Sequence, residues 1–490
     1  AVLTRNPDAV QIGLTATPRK IKTSESDRDS GEDDNISADN YRHFGDPVYE
    51  YDLLQAVEDG YLSACEIIQN HVLLLGEQES NGLLKEQLIN TQIKNYFSGQ
   101  ELTPAALKEK YHAIDLDSQI ILPERTQALC SSLFSYLLAT GKPEQKTIIF
   151  CAGVDHARRV AVALNNLYVD WCKENQQDRL DMFAFPCTGT EGKEHLTDFK
   201  EAKRSHFIAC TADLLQAGVD VPWVCNIVFF TYLQSAIRFY QMVGRGTRLH
   251  EESEKISFKI YDYTNATRLF GEEFISKLSK PKKPPLPPEP PKPDEPPNPL
   301  PPSKDDKLEV RGVKPEVQKG DTFFLLVKDS RHTRVNFSEY REYVRTLILE
   351  RLPTVEAFVQ EWVDNPNELL AISELQNVLK HKQDNYDSFD VIAELAYQVE
   401  AKTKPQRVED FLNQSEAWLV AMPKQSANTL RALGDEFKKE GTEGLNNKEL
   451  FNVQSIKNAS GGNVANALRL VGKPVDVFKE FKTRIFRINT

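Results

Sequence analysis

The sequence predicts an α/β protein built on a doubly wound parallel sheet, followed by a mainly α-helical region. Between residues 125 and 261, short apolar runs alternate with segments whose apolar residues recur at helical spacing. Such alternation is typical of parallel sheets covered by helices on both faces. From residue 281 to 302, thirteen of 22 residues are proline, which excludes helix and sheet and separates the two regions. Beyond residue 337 the helical spacing dominates.

The elements of the first region follow from the same patterns. Residues 10–14 form an apolar run that predicts a strand, and residues 50–61 show helical spacing that stops at Gly60. A strand is predicted over residues 65–75, and amphipathic helices with turns over residues 82–119. The regular part then contains predicted helices over residues 125–140, 155–171, 194–202 and 235–244, and strands over residues 147–150, 182–185, 206–209, 225–230 and 256–261.

The composition is that expected of a large cytoplasmic protein. A length of 490 residues predicts two to four domains. The formal charge of −12 excludes a globally basic nucleic-acid binder, although a basic channel can lie within an acidic protein. Seven cysteines without a C-x-x-C pair argue against a disulfide framework and a zinc ribbon. We find no signal peptide and no apolar run of membrane-spanning length, and expect no membrane partner.

The most informative stretch reads Gln-Met-Val-Gly-Arg-Gly-Thr-Arg and occupies residues 241–248. Arginine carries a permanent charge and a planar fork of donors that matches a phosphate. Arg245 and Arg248 lie three residues apart, so on a helical turn they share one face and can meet one triphosphate. Gln241 beside them can orient an attacking water. The alternative interpretation is a solvated, basic end of a helix.

Three stretches upstream complete a series. Residues 15–17 read Thr-Ala-Thr, residues 147–151 read Thr-Ile-Ile-Phe-Cys, and residues 211–222 begin with Thr-Ala-Asp and end with Gly-Val-Asp-Val-Pro. Together with residues 241–248, they resemble motifs III, IV, V and VI of superfamily-2 helicases and translocases, in that order. The resemblance implies a RecA-like (P-loop NTPase-type) helicase lobe, in a motor that holds ATP between two such lobes.

The resemblance also implies a role for each matching position. Thr15 and Thr17 would couple the nucleotide state to the second lobe, with helix caps as the alternative. Asp220 would lie near the ribose or the interface between lobes, with a turn residue as the alternative. The expected catalytic residues are Gln241, Arg245 and Arg248. The expected nucleotide-binding residues are Thr15, Thr17, Gly218, Asp220 and Gly244, and the expected DNA-binding residues are Cys151, Ala152 and Thr211.

ATP and Mg²⁺ are the cofactors that this resemblance implies. The motor needs a glycine-rich phosphate loop and an acidic magnesium-binding motif, and both normally precede motif III. Motif III begins here at Leu14, so we expect the magnesium ligands upstream of this chain. Residues 189–194, Gly-Thr-Glu-Gly-Lys-Glu, are the nearest match to a phosphate loop, and we interpret them as an ordinary loop. We therefore expect a C-terminal part of a longer protein that is inactive by itself.

A closer resemblance appears outside these motifs. Residues 44–51, Phe-Gly-Asp-Pro-Val-Tyr-Glu-Tyr, together with residues 56–62 and 147–157, resemble the R (restriction) subunit of type I restriction–modification enzymes. This implies a subunit that hydrolyses ATP, translocates double-stranded DNA and cuts it when translocation stalls. The implied partners are DNA and the methyltransferase (modification) and specificity subunits. The alternatives are another superfamily-2 DNA or RNA helicase and a non-enzymatic assembly module.

The resemblance and the composition together predict four segments. Residues 1–62 would end a first RecA-like lobe, and residues 63–275 would form the second lobe. Residues 276–307 would be a proline-rich linker. Its residues 281–302 would form a polyproline II spacer of roughly 70 Å at about 3.1 Å per residue, or else a ligand for proline-recognition domains. Residues 308–490 would form a mainly helical domain. That domain would dock onto the methyltransferase or, alternatively, only add stability.

Within this last segment we predict individual elements. A strand is predicted over residues 323–327, and its expected partner is a strand over residues 309–313. Apolar periodicity predicts helices over residues 337–350, 355–363, 369–380, 391–403, 427–439 and 464–470. The predicted core residues are Phe358, Trp362, Leu375, Leu379, Leu412, Trp418, Leu430 and Phe437. The sequence offers no constellation of metal ligands.

Overall fold

The fold is described by a computed structural model that covers residues 12–15, 20–21, 40–49, 56, 62–179, 182–201, 205–212, 221–250, 255, 257–271, 275–276, 307–328 and 331–488. The chain divides into two compact units, residues 1–334 and 335–490. The proline-rich stretch and nearly all of the helix predicted over residues 50–61 lie outside the described residues.

The first unit is organised around a large sheet with a parallel centre. Six of its strands run parallel in the order β2-β12-β11-β8-β10-β9. Two further strands, β15 and β16, extend the sheet beyond β2, and β3 pairs with the end of β2. The strands are β2 (Ala64–Leu74), β3 (Glu77–Gln78), β8 (Thr147–Phe150), β9 (Ala184–Pro186), β10 (Ile208–Thr211), β11 (Asn226–Phe229), β12 (Ser257–Asp262), β15 (Pro315–Lys328) and β16 (Arg331–Asn336).

Helices cover both faces of this sheet, as predicted. Helices α2 (Pro123–Ala139) and α3 (Val154–Asn175) pack on one face, where Leu133 and Leu164 meet Ile149 in one buried cluster. Helices α4 (Gly189–Glu201) and α5 (Ala236–Val243) contribute Phe199 and Phe239 to a second cluster with Ile148. Because apolar residues of each strand alternate between the two clusters, the sheet is buried on both sides. The doubly wound α/β prediction is confirmed.

The short connecting segment before this regular part was predicted wrongly. Residues 82–119 contain no α-helix in the structure. They form 3₁₀ turns and the strands β4 (Leu83–Leu84), β5 (Gln92–Asn95) and β6 (Lys110–Tyr111), followed by β7 (Ile120–Ile121). Strands of two to four residues are too short to show the two-residue alternation that indicates a strand. The apolar residues of several short strands and turns were therefore read as one helical pattern.

The strands after the proline-rich stretch also pair differently from the prediction. Strand β14 (Leu308–Arg311) pairs with β5 and β7, and β15 pairs antiparallel with β2. Residues 309–313 and 323–327 are therefore not partners of each other. Because β14 and β15 complete sheets of the first unit, the second unit begins at Val335, whereas the sequence placed that boundary at residue 308.

The second unit is helical. Its core contains Phe358, Trp362, Leu375, Leu379, Leu430 and Phe437, as predicted, but Leu412 and Trp418 are only half-buried, and their neighbours Phe411 and Leu419 take the core positions. Its helices are α6 (Phe337–Arg351), α7 (Val355–Asp364), α8 (Pro366–Leu370), α9 (Ser373–Leu379), α10 (Ser388–Tyr397), α11 (Lys404–Gln414), α12 (Glu416–Val420), α13 (Lys424–Asn446), α14 (Gln454–Ala459), α15 (Val464–Arg469) and α16 (Pro474–Ile485).

The described part of the strand predicted over residues 10–14, Ile12 to Leu14, is not in a strand, and both apolar side chains are exposed, because no described strand pairs with it. The remaining short elements of the first unit are β1 (Lys20–Ile21), which pairs with β13 (Ile275–Ser276), and α1 (Asn40–Phe44). Residues 189–194 open helix α4 and do not form a loop. Among the described helices, none is both long and apolar enough to cross a membrane.

Candidate functional site

The arginine loop, residues 244–248, follows directly from helix α5. The helix begins after Ser235, whose Oγ accepts a hydrogen bond from the Arg238 N–H at 3.4 Å. Its buried face carries Phe239, Met242 and Val243, which pack against the sheet. The helix ends at Gly244, whose N–H donates to the Tyr240 carbonyl at 2.9 Å. The position of the loop is thus set by the packing of α5.

Gly246 brings the arginine loop into close contact with the sheet. A Cβ atom at this position would lie 2.4 Å from Cδ2 of Phe258 and 3.0 Å from Cγ1 of Ile227. Real side chains do not approach so closely, so only glycine fits between the two arginines at this depth. The loop backbone therefore rests directly on strands β11 and β12.

Ser63 holds the loop from the side of strand β2. Its N–H donates to the Thr247 carbonyl at 2.6 Å, and its Oγ donates to the Arg248 carbonyl at 2.9 Å. Leu62 and Arg248 also form an antiparallel bridge. These contacts join positions 185 residues apart in the chain. They fix the position and the direction of the loop backbone relative to strand β2.

Lys255 also binds the backbone of the arginine loop. Its Nζ donates to the carbonyls of Pro222 at 2.9 Å, Gly246 at 2.7 Å and Arg248 at 2.6 Å. An ammonium group has three protons, so all of its donors are used. Lys255 is 8% exposed, and burial lowers the pKa of its ammonium group to about 8.

The arginine loop lies at the amino edge of the main sheet. Its hydrogen-bond partners Ser63 and Lys255 precede the parallel strands β2 and β12, and Lys255 also binds Pro222, which precedes β11. On this frame Gln241, Gly244 and Arg245 are half-buried, and Arg248 is exposed. The structure therefore brings the three predicted catalytic residues and Gly244 together on one helix end and its loop.

The predicted DNA-binding residues lie at the opposite, carboxyl edge. Thr211 ends β10, and its carbonyl accepts a hydrogen bond from the Cys151 N–H at 2.8 Å. The Ala152 N–H donates to Nδ1 of His156 at 3.2 Å. The two edges are separated by the length of the strands, roughly 13 Å for a four-residue strand at about 3.3 Å per residue.

These three residues differ in the polar atoms that remain available for a further hydrogen bond. Cys151 is 3% exposed, and its thiol donates to the Ile149 carbonyl, so it offers no polar atom at the surface. Ala152 is half-buried, and its N–H is already used. The Thr211 side chain is fully buried, and its hydroxyl has no hydrogen-bond partner within the described part of the chain. Thr211 is thus the member with unused hydrogen-bonding capacity.

A buried ionic network occupies the same carboxyl edge. The Arg125 guanidinium is 1% exposed and donates two 2.7 Å hydrogen bonds to Glu79 and one of 2.5 Å to Asp117. Arg159 donates to the other Asp117 oxygen at 2.8 Å. Burial lowers the pKa of His156, which lies 3.5 Å from Asp117, to about 4. A neutral His156 can then accept the Ala152 N–H.

Several predicted positions cannot be placed. Thr17, Gly218 and Asp220 lie outside the described residues. Thr15 is described and exposed. In contrast, Ser63 and Lys255 were missed, because a serine and a lysine that bind distant backbone carbonyls leave no motif in the sequence. The only available signal for Lys255 was a charged residue directly before an apolar strand.

One group of side chains could hold a metal ion. His195, Asp198 and His206 bring ligand atoms within 4.8 Å of one another, the one such group among the described residues. Nδ1 of His195 and Nε2 of His206 are 3.2 Å apart and form a hydrogen bond. Because that bond accounts for the approach of the two rings, and Lys146 donates to the His206 carbonyl, the geometry is explained without a cation.

Comparisons with known proteins agree with this architecture. Residues 124–250 match the helicase conserved C-terminal domain. The chain is 33% identical over 272 residues to the endonuclease subunit of the type I restriction enzyme EcoAI from Escherichia coli, across 54% of this chain and 29% of that protein. It is 30% identical over 270 residues to the EcoKI endonuclease subunit from Escherichia coli strain K12, across 52% of this chain and 20% of that protein.

A solved structure is also similar. The fragment described as an HsdR subunit of a type I restriction enzyme from Vibrio vulnificus is 28% identical, with a TM-score of 0.32, and the match covers 48% of this chain and 38% of that one. The chain spans less than a third of the length of its two curated relatives. Residues 124–250 are thus a helicase C-terminal domain, and over about half its length the chain is homologous to the endonuclease subunits of type I restriction enzymes.

Proposed function

We propose that this chain supplies the second motor lobe and the C-terminal part of a type I restriction enzyme R subunit, which couples ATP hydrolysis to translocation of double-stranded DNA before cleavage. The observation that carries the proposal is the fixed arginine loop. Guanidiniums held in place before the reaction stabilise the charge that develops on a transferred phosphoryl group. The loop backbone has this fixed character, because Ser63, Gly246 and Lys255 determine its position.

The two edges of the sheet would then serve two ligands. At the amino edge, Arg245 and Arg248 would approach the γ-phosphate of ATP, and Gln241 would orient the attacking water. At the carboxyl edge, Thr211 would contact a DNA phosphate, and its hydroxyl, which is fully buried here, would have to become accessible when DNA binds. Motif V would connect them, since it begins at Thr211 and ends at Pro222, whose carbonyl Lys255 contacts. Motif V would in this way couple the nucleotide state to the affinity for DNA.

ATP and Mg²⁺ would be shared with residues outside this chain. The 490 residues contain no Gly-Lys sequence followed by serine or threonine, so the phosphate loop would come from another part of the protein. We therefore expect this chain alone to show no DNA-stimulated ATP hydrolysis. Measurable turnover by the purified chain would contradict the proposed division of the site.

The function is tested by removing each guanidinium in the full-length protein. Arg245→Ala and Arg248→Ala are expected to lower ATP turnover by about 10³- to 10⁵-fold, the size typical of arginine fingers, while DNA loading persists. Arg311→Ala is the matched control, because Arg311 belongs to the same unit, lies at the surface and pairs with the neighbouring Glu309. Normal ATP turnover and translocation in both loop variants would exclude the motor function.

We also propose that the second unit binds the methyltransferase (modification) subunit. Its separate helical core supports this, because a compact unit can present a docking surface without disturbing the motor. Truncation after Asn336 retains all strands of the main sheet and removes this unit. The truncated protein should fold but no longer co-purify with the methyltransferase. Unchanged co-purification would instead favour the alternative, in which residues 335–490 only add stability.

A further inference from the structure

We propose that Lys255 is a positioning residue that fixes the two arginines of the loop relative to the end of motif V, an inference that depends on the proposed ATPase function. The Lys255 ammonium group binds three backbone carbonyls at 2.6–2.9 Å. Two of them belong to Gly246, which directly follows Arg245, and to Arg248 itself. The third belongs to Pro222, at the end of the motif V stretch. One side chain therefore joins both segments.

The contacts determine backbone geometry and not only proximity. A carbonyl oxygen that accepts a hydrogen bond restricts the peptide plane that carries it. The peptide planes after Gly246 and after Arg248 are restricted by Lys255, and the plane between them is restricted by the Ser63 N–H, which donates to the Thr247 carbonyl. Three consecutive peptide planes of the arginine loop are thus fixed, and with them the Cα–Cβ direction of Arg248.

Lys255 and Ser63 connect the arginine loop to different segments of the chain. Ser63 joins the loop to strand β2, whereas Lys255 joins it to Pro222 and therefore to motif V. The carbonyl of Arg248 accepts from both side chains. Loss of Lys255 would leave the loop attached to β2 but free to shift relative to motif V. A displacement of about 1 Å in such a site can cost about 100-fold in rate.

The lysine is not explained by packing alone. Its environment is nearly solvent-free, and burial lowers the pKa of its ammonium group, with the Cys225 thiol acting weakly in the opposite direction. Methionine would fill a similar volume without the desolvation cost of a charge. It could not donate to any of the three carbonyls. What the lysine adds at this position is therefore the orientation of the backbone.

Lys146 provides a matched control within the same lobe. It is 7% exposed, its Nζ donates to the carbonyls of Ser205 at 3.1 Å and His206 at 3.0 Å, and burial lowers its pKa to about 8 as well. Both acceptors precede strand β10, and neither belongs to the arginine loop. Lys146→Met thus removes the same kind of buried ammonium group without removing a hydrogen bond to any of the three carbonyls that Lys255 binds.

The experiment compares Lys255→Met, Lys146→Met and Arg245→Ala in the full-length protein by DNA-stimulated ATP hydrolysis and thermal unfolding. Both lysine variants should lower the Tm, but only Lys255→Met should lower kcat, by about 100-fold, with the KM for ATP changed less than about 3-fold. Equal effects on kcat in the two lysine variants, or a normal kcat in Lys255→Met, would overturn the proposal.

Two further outcomes are distinguishable. If Arg245→Ala and Arg248→Ala both leave ATP turnover unchanged, the proposed function fails, whatever Lys255 does. If Arg245→Ala lowers turnover and Lys255→Met does not, only the positioning role fails. Should Lys255→Met not fold, Lys255→Arg replaces it, since it keeps the charge but changes the donor geometry. A kcat at least 10-fold lower at a normal KM supports the role, and a wild-type kcat overturns it.

Discussion

The two edges of the main sheet hold their functional positions by different means. At the amino edge, Ser63, Gly246 and Lys255 fix the backbone of the arginine loop. At the carboxyl edge, charged side chains neutralise one another in the network of Arg125, Glu79 and Asp117. The amino edge therefore depends on exact backbone packing, whereas the carboxyl edge depends on charge balance in a buried site. Substitutions at the two edges should fail in different ways.

The largest effect on stability is expected at the carboxyl edge. Arg125→Met removes the guanidinium and leaves the carboxylates of Glu79 and Asp117 buried, which typically costs about 3–5 kcal/mol in the free energy of unfolding. Arg311→Met, at an exposed ion pair in the same unit, should change it little. Urea denaturation of both variants measures the difference. A similar small change in both would show that the network contributes no more than a surface pair.

Backbone packing at the amino edge is tested by one added methyl group. In Gly246→Ala the new Cβ would lie 2.4 Å from the Phe258 ring, and overpacking of this kind costs about 1–3 kcal/mol. At the carboxyl edge, the Cβ of Gly153→Ala meets no atom within 4 Å, so this variant carries no overpacking cost and only the small cost of alanine at the N-cap of helix α3. We expect Gly246→Ala alone to lower both the Tm and ATP turnover. Equal Tm values for the two variants would contradict the close approach at Gly246.

Charge balance at the carboxyl edge predicts a pH dependence. Burial lowers the folded-state pKa of His156 from 6.5 to about 4, so the unfolded chain binds a proton at a higher pH than the folded chain does. Stability from this group is complete above pH 6.5 and is lost as the pH falls towards 4. Between pH 7 and 5 the linkage amounts to about 2 kcal/mol.

The variant His156→Gln isolates this contribution from the acid titration of other groups. Its free energy of unfolding should fall less between pH 7 and 5 than that of the wild-type protein, when both are measured by urea denaturation. Parallel pH curves for the two proteins would show that folding does not lower the pKa of His156, and a neutral imidazole at the Ala152 contact would then not be expected below pH 6.5.

The smallest effect is expected for the Thr211 hydroxyl. A buried hydroxyl without a described partner costs free energy that a phosphate oxygen would recover. Thr211→Val keeps the shape and removes the donor, so DNA affinity should fall by roughly 1 kcal/mol, or about five-fold. ATP turnover at saturating DNA should not change. Equal DNA binding by both proteins, measured by fluorescence anisotropy, would exclude Thr211 as a phosphate ligand.

The sequence predicted the regular part of the fold with small errors at the ends of the elements. Helix α5 was predicted over residues 235–244 and spans Ala236–Val243, and strand β8 was predicted and found over residues 147–150. Both lie in segments with strong apolar periodicity. Strand β15 was recognised as a strand, but its pairing with β2 joins residues about 250 positions apart. Nothing local in the sequence specifies such a partner.

The sequence indicated the side chains of the candidate site but not the residues that hold its backbone in place. Gln241, Arg245 and Arg248 form a motif because three polar side chains fall within eight residues. Ser63 and Lys255 act on backbone carbonyls, which every residue possesses, so their role leaves no pattern. The separation of Thr211 and Arg245 onto opposite edges was also not predicted, because it depends on how helix α5 returns along the sheet.

The most direct test of the account measures kcat for ATP and the Kd for DNA in parallel for Arg245→Ala and Thr211→Val in the full-length protein. Separate nucleotide and DNA edges predict a crossed result. Arg245→Ala should lose turnover by about 10³-fold or more and keep its DNA affinity, whereas Thr211→Val should keep kcat and lose DNA affinity. If both variants lowered the same quantity, or if Arg245→Ala weakened only DNA binding, the division of function between the two edges would be contradicted.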